Sequence, residues 1–111
     1  GGGRVLTYGE ALQEASAGRI DDPTVLAAFK AEVSDAERLD DGPRRIGAMV
    51  NLAALLLDLG NRSPTPDLWN ARYNECIRIS EDVLAISPDN NEAVSNRDAA
   101  RRNIGLRAPA G

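Results

Sequence analysis

The chain has 111 residues, 42% of them hydrophobic, and its acidic residues outnumber its basic ones for a formal net charge of −4. A chain of this length buries one modest core, so we expect a single domain over residues 5–105. The acidic balance argues against a nucleic-acid or anionic-lipid binder, and the most hydrophobic run, residues 48–59, is too short to span a bilayer.

Apolar residues recur with helical spacing along the chain, and capping residues, glycines and prolines separate the helical segments. Thr7, followed three residues later by Glu10, predicts the start of a first helix that Gly18 ends. The pair at 22–23, Asp then Pro, predicts the start of a second helix. The sequence DDGP at 40–43 ends that second helix.

Three further helices are predicted downstream. Pro43 opens a third helix that closes at Gly60 and is apolar nearly all round. A predicted loop over 61–67 precedes a fourth helix, and the polar stretch 87–91 separates it from a fifth that runs to Gly105. Because β-branched and polar residues nowhere alternate, we expect no strand. The predicted fold class is all-α, with about five helices in antiparallel pairs.

The terminal sequences, the cysteine content and the choice of basic residues lead to predictions about the chain ends, the cellular location and the source. We expect residues 1–4, which open with three glycines, to be a cloning scar or a flexible N-terminus, and residues 106–111 to be a flexible tail. One cysteine forms no internal disulfide, and no export signal is visible, so we expect a cytoplasmic protein. Lys30 is the only lysine, an arginine bias that points to a high-GC bacterium.

An internal repeat relates the third and fifth predicted helices. Residues 46–60 align with residues 91–105 at a constant offset of 45. The alignment pairs identical residues at Ala48 and Ala93, Asn51 and Asn96, Ala54 and Ala99, and Gly60 and Gly105. Pro43 and Pro88 keep the same offset, so the repeat agrees with the predicted helix boundaries.

Residues 43–105 resemble the tetratricopeptide repeat, a family of stacked helical pairs. The second helix of that pattern and its terminal proline are matched by Tyr73, Glu75, Cys76, Ile77, Val83, Leu84, Ile86 and Pro88. The first helix is matched by Met49, Asn51, Leu52, Ala53 and Gly60. The resemblance implies a short α–α superhelix whose first helices line a concave groove that binds extended or helical peptides.

By this resemblance, eight residues line the groove and bind the partner. They are Val50, Asn51, Ala54, Asp58, Ser95, Asn96, Arg102 and Asn103. Val50 and Ala54 stand where a carboxylate clamp of this family would need a lysine and an asparagine, so chaperone-tail recognition is not expected. Asn51 and Asn96 have a second interpretation, as side chains that bond neighbouring helices, and both interpretations stay open.

The repeat offset exceeds the 34 residues of the family, which places about eleven extra residues between Gly60 and Arg72. Residues 65–71 have the pattern of a helix start, so we predict that the insertion lengthens the fourth helix backwards and leaves about four or five loop residues. Leu68 and Trp69 then either pack onto the first pair of helices or stay partly exposed as an anchor for a partner. Packing is the favoured alternative.

The fifth predicted helix carries charges where a buried repeat needs apolar or small residues. Arg97, Asp98 and Arg101 occupy those positions, and burying them unpaired would cost several kcal/mol each. We therefore expect this helix to be the solvated cap of a short stack. Contact of Arg97, Arg101, Arg102 and Arg107 with an acidic partner or RNA is the alternative to a solvated face.

Few residues carry catalytic chemistry. Cys76 lies amid helical apolar spacing, and the chain has no histidine to activate it, so a packed core residue is expected. The carboxylates of Asp35 with Glu37, and of Glu81 with Asp82, are neighbours in sequence rather than convergent acids. Without metal-ligand spacing, a phosphate-binding glycine loop or a nucleophile motif, we expect no cofactor, no metal and no enzymatic activity.

Three functions compete on these grounds. The leading one is a protein–protein interaction module of tetratricopeptide type, a bacterial adaptor or regulatory domain that binds a peptide or partner protein but neither nucleic acid nor membrane. The second is a structural, homodimerising helical domain, so a homo-oligomer is left open. A carboxylate-based hydrolase has the least support.

Overall fold

The computed structural model describes residues 4–109, which contain five α-helices and no strand. The helices are α1 (Tyr8–Ser16), α2 (Pro23–Arg38), α3 (Gly42–Arg62), α4 (Pro66–Ile86) and α5 (Asn91–Arg107). This confirms the all-α prediction. Residues 1–3 of the predicted scar and residues 110–111 of the predicted tail lie outside the described residues.

Side-chain caps set the start of four helices in the described part of the chain. At α1, the Thr7 hydroxyl accepts a bond from the Glu10 amide (3.1 Å), and the Glu10 carboxylate accepts one from the Thr7 amide (2.9 Å). The Thr7 amide also holds the pKa of Glu10 below its usual range. The other caps are Asp22 for α2, Asp41 for α3 and Asn90 for α5. The predicted caps Thr7 and Asp22 therefore form the expected bonds, whereas Thr65 at the start of α4 forms no side-chain cap bond.

Two hydrogen bonds show that α1 and α3 run in the same direction. The Asn51 amide in the middle of α3 donates to the hydroxyl of Tyr8, the first residue of α1 (2.8 Å). The Arg62 guanidinium at the end of α3 donates to the carbonyl of Gly18, just beyond the end of α1 (2.8 Å). Later positions on one helix thus meet later positions on the other, and long side chains connect the two helices.

The same relation holds between α3 and α5. The Asn96 amide donates to the Val50 carbonyl (3.3 Å), and the Asn103 amide donates to the side-chain oxygen of Asn61 (2.9 Å). Helices α1, α3 and α5 are therefore parallel neighbours, and the short connections make α2 and α4 run the opposite way. The molecule measures 47 × 40 × 21 Å. Its thinnest dimension is about two helix diameters, as expected for two layers of helices.

Helix α3 supplies more of the described core than any other helix, because it touches α2, α4 and α5. Its buried residues are Ala48, Met49, Val50, Leu52, Ala53, Leu55, Leu56 and Gly60. This explains its apolar character nearly all round, since a helix covered on several sides must offer apolar side chains to each neighbour. By contrast, the buried residues of α5 are Ala93 and Ala100 alone within the described chain. Helix α5 thus has the polar outer face expected of a cap.

The ring of Tyr73 on α4 packs directly against the backbone of α3 at Gly60. A Cβ atom built on Gly60 would lie 2.5 Å from the Tyr73 Cε1 atom, a distance that no real side chain keeps. The Tyr73 hydroxyl donates to Asn61 (2.7 Å), and its ring centroid lies 5.9 Å from that of Trp69. Only glycine at position 60 leaves room for this approach of the two helices.

Arg107 closes the C-terminal end of α3 from the last residue of α5. Its Nη1 atom donates to the Gly60 carbonyl (2.8 Å), and its Nη2 atom donates to the Ser63 carbonyl (2.6 Å). Its guanidinium carbon lies 5.0 Å from the centroid of the Trp69 ring. Carbonyls at a helix C-terminus lack intrahelical partners, and a cation there is favoured by the helix dipole. Arg107 therefore joins α5 to the end of α3.

The structure corrects two boundaries of the sequence analysis. Helix α5 ends at Arg107 rather than Gly105, so Leu106 and Arg107 are helical residues and not the start of the predicted tail. Helix α3 continues to Arg62, which leaves a loop of residues 63–65 instead of the predicted 61–67. Contacts across more than 40 residues hold both helix ends, and the local sequence does not encode such contacts.

Trp69 is buried, with 4% of its surface exposed. Burial agrees with the favoured alternative, in which the inserted turns pack inward. However, its ring partners are Tyr73 and Arg107, which belong to α4 and α5 rather than to the first pair of helices. The inserted turns of α4 thus complete the C-terminal end of the molecule.

We expect Gly60→Ala to lower the free energy of unfolding by roughly 1–3 kcal/mol, because the added methyl group overlaps the Tyr73 ring. Gly47→Ala on the same helix is the matched control, since its Cβ would meet nothing within 4 Å. It should raise stability by about 0.5–1 kcal/mol through the better helix propensity of alanine. Urea titration of both variants measures the difference, and equal effects would contradict the close contact.

We expect Arg107→Met to lower the free energy of unfolding by roughly 1–3 kcal/mol, because it removes two bonds to carbonyls at the end of α3. The methionine keeps an apolar stem beside Trp69, so the loss reports on the guanidinium. Arg102→Met, on the exposed side of the same helix, should change stability little. If the two variants had the same free energy of unfolding, Arg107 would belong to a tail that does not contribute to the fold.

Candidate functional site

A cleft between α1 and α3 brings together three of the eight predicted groove residues. Asn51, Ala54 and Asp58 lie along one face of α3 and line this cleft, which has a volume of about 230 Å³. Its apolar lining comes from Leu12, Ala15, Phe29 and Leu55. Tyr8 supports the Phe29 ring edge-on, with ring centroids 5.5 Å apart. Three of the four predicted residues on α3 therefore lie in one surface depression between α1 and α3.

Val50 does not share that cleft. It is 6% exposed and belongs to the core, while its carbonyl accepts the bond from Asn96. The prediction that the Val50 side chain lines the groove is therefore wrong, for a geometric reason. Val50 precedes Asn51 by one residue, which is about 100° around a helix, so the two side chains cannot face the same way.

The four predicted residues on α5 lie outside the α1–α3 cleft. Asn96 and Asn103 are half-buried, and their amides bond to α3. Ser95 and Arg102 are exposed on the same helix. The structure therefore separates the predicted site into a cleft at α1–α3 and a set of polar residues at α3–α5.

Both asparagines of the internal repeat bond a neighbouring helix. Asn51 donates to Tyr8 on α1, and Asn96 donates to the Val50 carbonyl on α3. Asn96 is half-buried, and the Val50 carbonyl gives its amide a hydrogen-bond partner within the fold. Asn51 is exposed, so its amide both links two helices and stands at the rim of the cleft.

Leu68 and Trp69 differ in what they offer at the surface. Trp69 is almost fully buried, whereas Leu68 is 43% exposed. An anchor for a partner must leave the solvent on binding, so a tryptophan already covered by its own fold has little area left to contribute. Of this pair, only Leu68 keeps the predicted surface role.

A second groove, which the sequence analysis missed, lies between α2 and α4. It has a volume of about 320 Å³ and an apolar floor formed by Val33, Met49, Leu52 and Ile79. Lys30 on α2 pairs with Glu75 on α4 at 3.3 Å, and Arg78 pairs with Asp82 at 3.6 Å. Arg45 also lines this groove. The available signal was a pair of adjacent arginines in the first turn of α3, where the helix dipole disfavours cations.

The lone cysteine is a core residue, as predicted. Cys76 is fully buried, and its sulfur lies 3.7 Å from the carbonyl of Asn96. Burial raises the pKa of the Cys76 thiol to about 11. A thiol that stays protonated at neutral pH is a poor nucleophile and a poor metal ligand.

The described residues offer no group of three or more histidine, cysteine or carboxylate side chains that could hold a metal ion. No helix among residues 4–109 is both long enough and apolar enough to cross a membrane. Two of the surface depressions, the α1–α3 cleft and the α2–α4 groove, combine an apolar floor with polar and charged side chains.

Comparison with known proteins gives no family for this chain. No protein-family model, curated protein or solved structure matches it. The tetratricopeptide resemblance of residues 43–105 therefore remains a resemblance in sequence.

The raised pKa of Cys76 predicts a loss of stability at alkaline pH. Below the ordinary pKa of about 9.0, the thiol is protonated in both the folded and the unfolded chain. Between about pH 9 and pH 11 the unfolded chain releases the thiol proton while the folded chain keeps it, so the free energy of unfolding falls as pH rises. Urea titrations across this window should show a steeper fall for the natural chain than for Cys76→Ala. Equal slopes would contradict the burial of the thiol.

Proposed function

We propose that this chain is a protein-interaction module of tetratricopeptide type that binds a peptide segment of a partner protein in the α1–α3 cleft. The observation that carries the proposal is the cleft itself, in which Asn51 and Asp58 flank an apolar floor on rigid helices. Ligand sites combine an apolar surface with a few polar groups that fix orientation. The α1–α3 cleft has both.

The size of the cleft favours a peptide side chain over a small-molecule ligand. Pockets that enclose small molecules have volumes of about 300–1,000 Å³. The α1–α3 cleft, at about 230 Å³, is smaller and open. It suits one or two apolar side chains of a longer segment that lies across the surface. Leu12, Phe29 and Leu55 would contact those side chains.

The polar rim favours an extended peptide that carries a basic residue. Asn51 and Asp58 are seven residues apart on α3, a rise of about 10 Å, which matches about three residues of extended chain. Asn51 is exposed and suited to bond a peptide backbone. Asp58 has no ion-pair partner within the described residues, so it is available to a lysine or arginine of the partner.

The proposal also includes the type of protein and its cellular location. An adaptor or regulatory domain in a bacterial cytoplasm is what the composition and the arginine bias favour, and binding a partner requires no catalytic group. The tetratricopeptide resemblance supports the choice of the face carried by α1 and α3, because the first helix of each pair lines the binding surface in that family.

We expect peptides selected on this chain from a library of short random peptides to bind Ala54→Arg roughly tenfold more weakly or worse. The arginine side chain would fill the cleft from its centre. Ala71→Arg, at an exposed position of α4, is the matched control and should leave binding unchanged. Selection should enrich apolar residues flanked by lysine or arginine, and Asp58→Asn should weaken those peptides.

Two results would contradict the proposed function. One is a selection that enriches no peptide on the folded chain. The other is a set of enriched peptides that bind Ala54→Arg and Ala71→Arg equally well, because such peptides would occupy a different surface. Thermal unfolding of both variants controls for loss of fold, since each substitution is at a position that is at least partly exposed.

A further inference from the structure

The first turn of α3 holds two adjacent arginines, Arg44 and Arg45, although the positive end of the helix dipole lies there. The structure explains Arg44. Its Nε and Nη2 atoms donate to the two carboxylate oxygens of Glu32 on α2, at 2.7 and 2.8 Å. The Arg44 guanidinium holds the pKa of Glu32 below its usual range. This two-bond pair joins α2 to α3, so Arg44 has a structural role.

Arg45 has no such role. Its Nε atom is buried and has no hydrogen-bond partner, and none of the residues from 4 to 109 forms an ion pair with its guanidinium. A buried donor without a partner costs about 1–3 kcal/mol, and more when the group is charged. Natural structures rarely keep such a group unless it has a function or a partner outside the fold. Arg45 lines the groove between α2 and α4, and its two terminal nitrogens are not among the buried atoms, so a carboxylate that enters the groove can pair with them.

The other basic side chains of that groove are already paired. Lys30 is held by Glu75, and Arg78 is held by Asp82. Within the described residues, Arg45 is the basic group of the groove lining that lacks an acidic partner. Glu37 is the unpaired acid of the lining, and it is exposed at the α2 side. A carboxylate that enters the groove thus meets one available cation, which fixes its position.

An apolar surface adjoins Arg45 on its other side. Pro43 and Ile46 of α3 and Ile86 of α4 line a second opening that also includes Arg45. Ile86 is 58% exposed although it is a large apolar residue at the end of a helix. Arg45 therefore stands between a groove that offers space for a carboxylate and a surface that offers contact to an aliphatic side chain.

We infer that the α2–α4 groove is a second binding site, which takes a partner segment with an aspartate or glutamate next to an aliphatic residue. The ligand carboxylate pairs with the Arg45 guanidinium, and the aliphatic side chain packs on Ile46 and Ile86. Charge complementarity decides this ligand class, because no described residue forms an ion pair with the Arg45 guanidinium, which lines the groove. The site is separate from the α1–α3 cleft, with which it shares no lining residue.

Arg45→Met tests the inference because methionine keeps the apolar stem and removes the guanidinium. Short random peptides are selected on the natural chain and then sorted for loss of binding to Arg45→Met. We expect the sorted peptides to carry an acidic residue beside an aliphatic one and to bind Arg45→Met roughly tenfold more weakly or worse. Replacing that acidic residue by its amide should cause the same loss, and should cause no further loss on Arg45→Met.

Two control variants distinguish binding in the α2–α4 groove from binding elsewhere on the surface. Arg38→Met removes an exposed arginine already paired with Asp35, and Ala54→Arg fills the α1–α3 cleft. Both should leave the sorted peptides bound. Ile86→Ser should weaken those peptides, because it removes part of the aliphatic contact.

Stability provides an independent readout. Without ligand, Arg45→Met should melt at the same temperature as the natural chain or higher, because it removes a buried donor without a partner. A clear fall in melting temperature would assign Arg45 to the fold and overturn the inference. So would a selection in which no peptide depends on Arg45, or one whose Arg45-dependent peptides carry no acidic residue.

Discussion

The close approach of Tyr73 to Gly60 sets the geometry on which the C-terminal end of the molecule depends. Because a side chain at position 60 would overlap the ring, α4 can lie this near to α3 only when glycine is there. Three further contacts build on that approach. Trp69 packs against Tyr73, Asn61 accepts the bond of the Tyr73 hydroxyl, and Arg107 covers Trp69 while it bonds the carbonyls of α3. The absence of a side chain at Gly60 thus determines the position of α4 and, through Arg107, that of the end of α5.

Helix α3 links the core to both candidate binding surfaces. Asn51 and Asp58 line the cleft toward α1, whereas Met49 and Leu52 form part of the floor between α2 and α4. Both surfaces are therefore built in part on α3, which its contacts with α2, α4 and α5 hold in place. A site on a packed helix holds its side chains more closely than a site on a loop does. The same arrangement means that a substitution in the core face of α3 would disturb both surfaces together.

The sequence was sufficient for features that depend on neighbours in the chain, and insufficient for those that depend on distant contacts. Caps such as Thr7 and Asp22 act within three residues, so the helix starts could be predicted. The role of Arg107 could not, because its hydrogen-bond partners lie 34 or more residues away. The groove residues show the same limit. Asn51 and Asp58, which the tetratricopeptide resemblance assigned to a groove, line the α1–α3 cleft. Val50, assigned to the same groove, is buried, and its carbonyl accepts a bond from Asn96 on α5.

Two charged side chains near the start of α3 differ in their roles because packing places one in an ion pair and the other beside a groove. Arg44 and Arg45 are identical in type and adjacent in sequence, so no local rule distinguishes them. The helix rotates them by about 100° relative to each other, which turns Arg44 toward Glu32 and leaves Arg45 beside the groove. The two-bond geometry of Arg44 accounts for the retention of its charge. Arg45 forms no ion pair among the described residues and lines the groove, so the proposed second site would use it to bind an acidic partner.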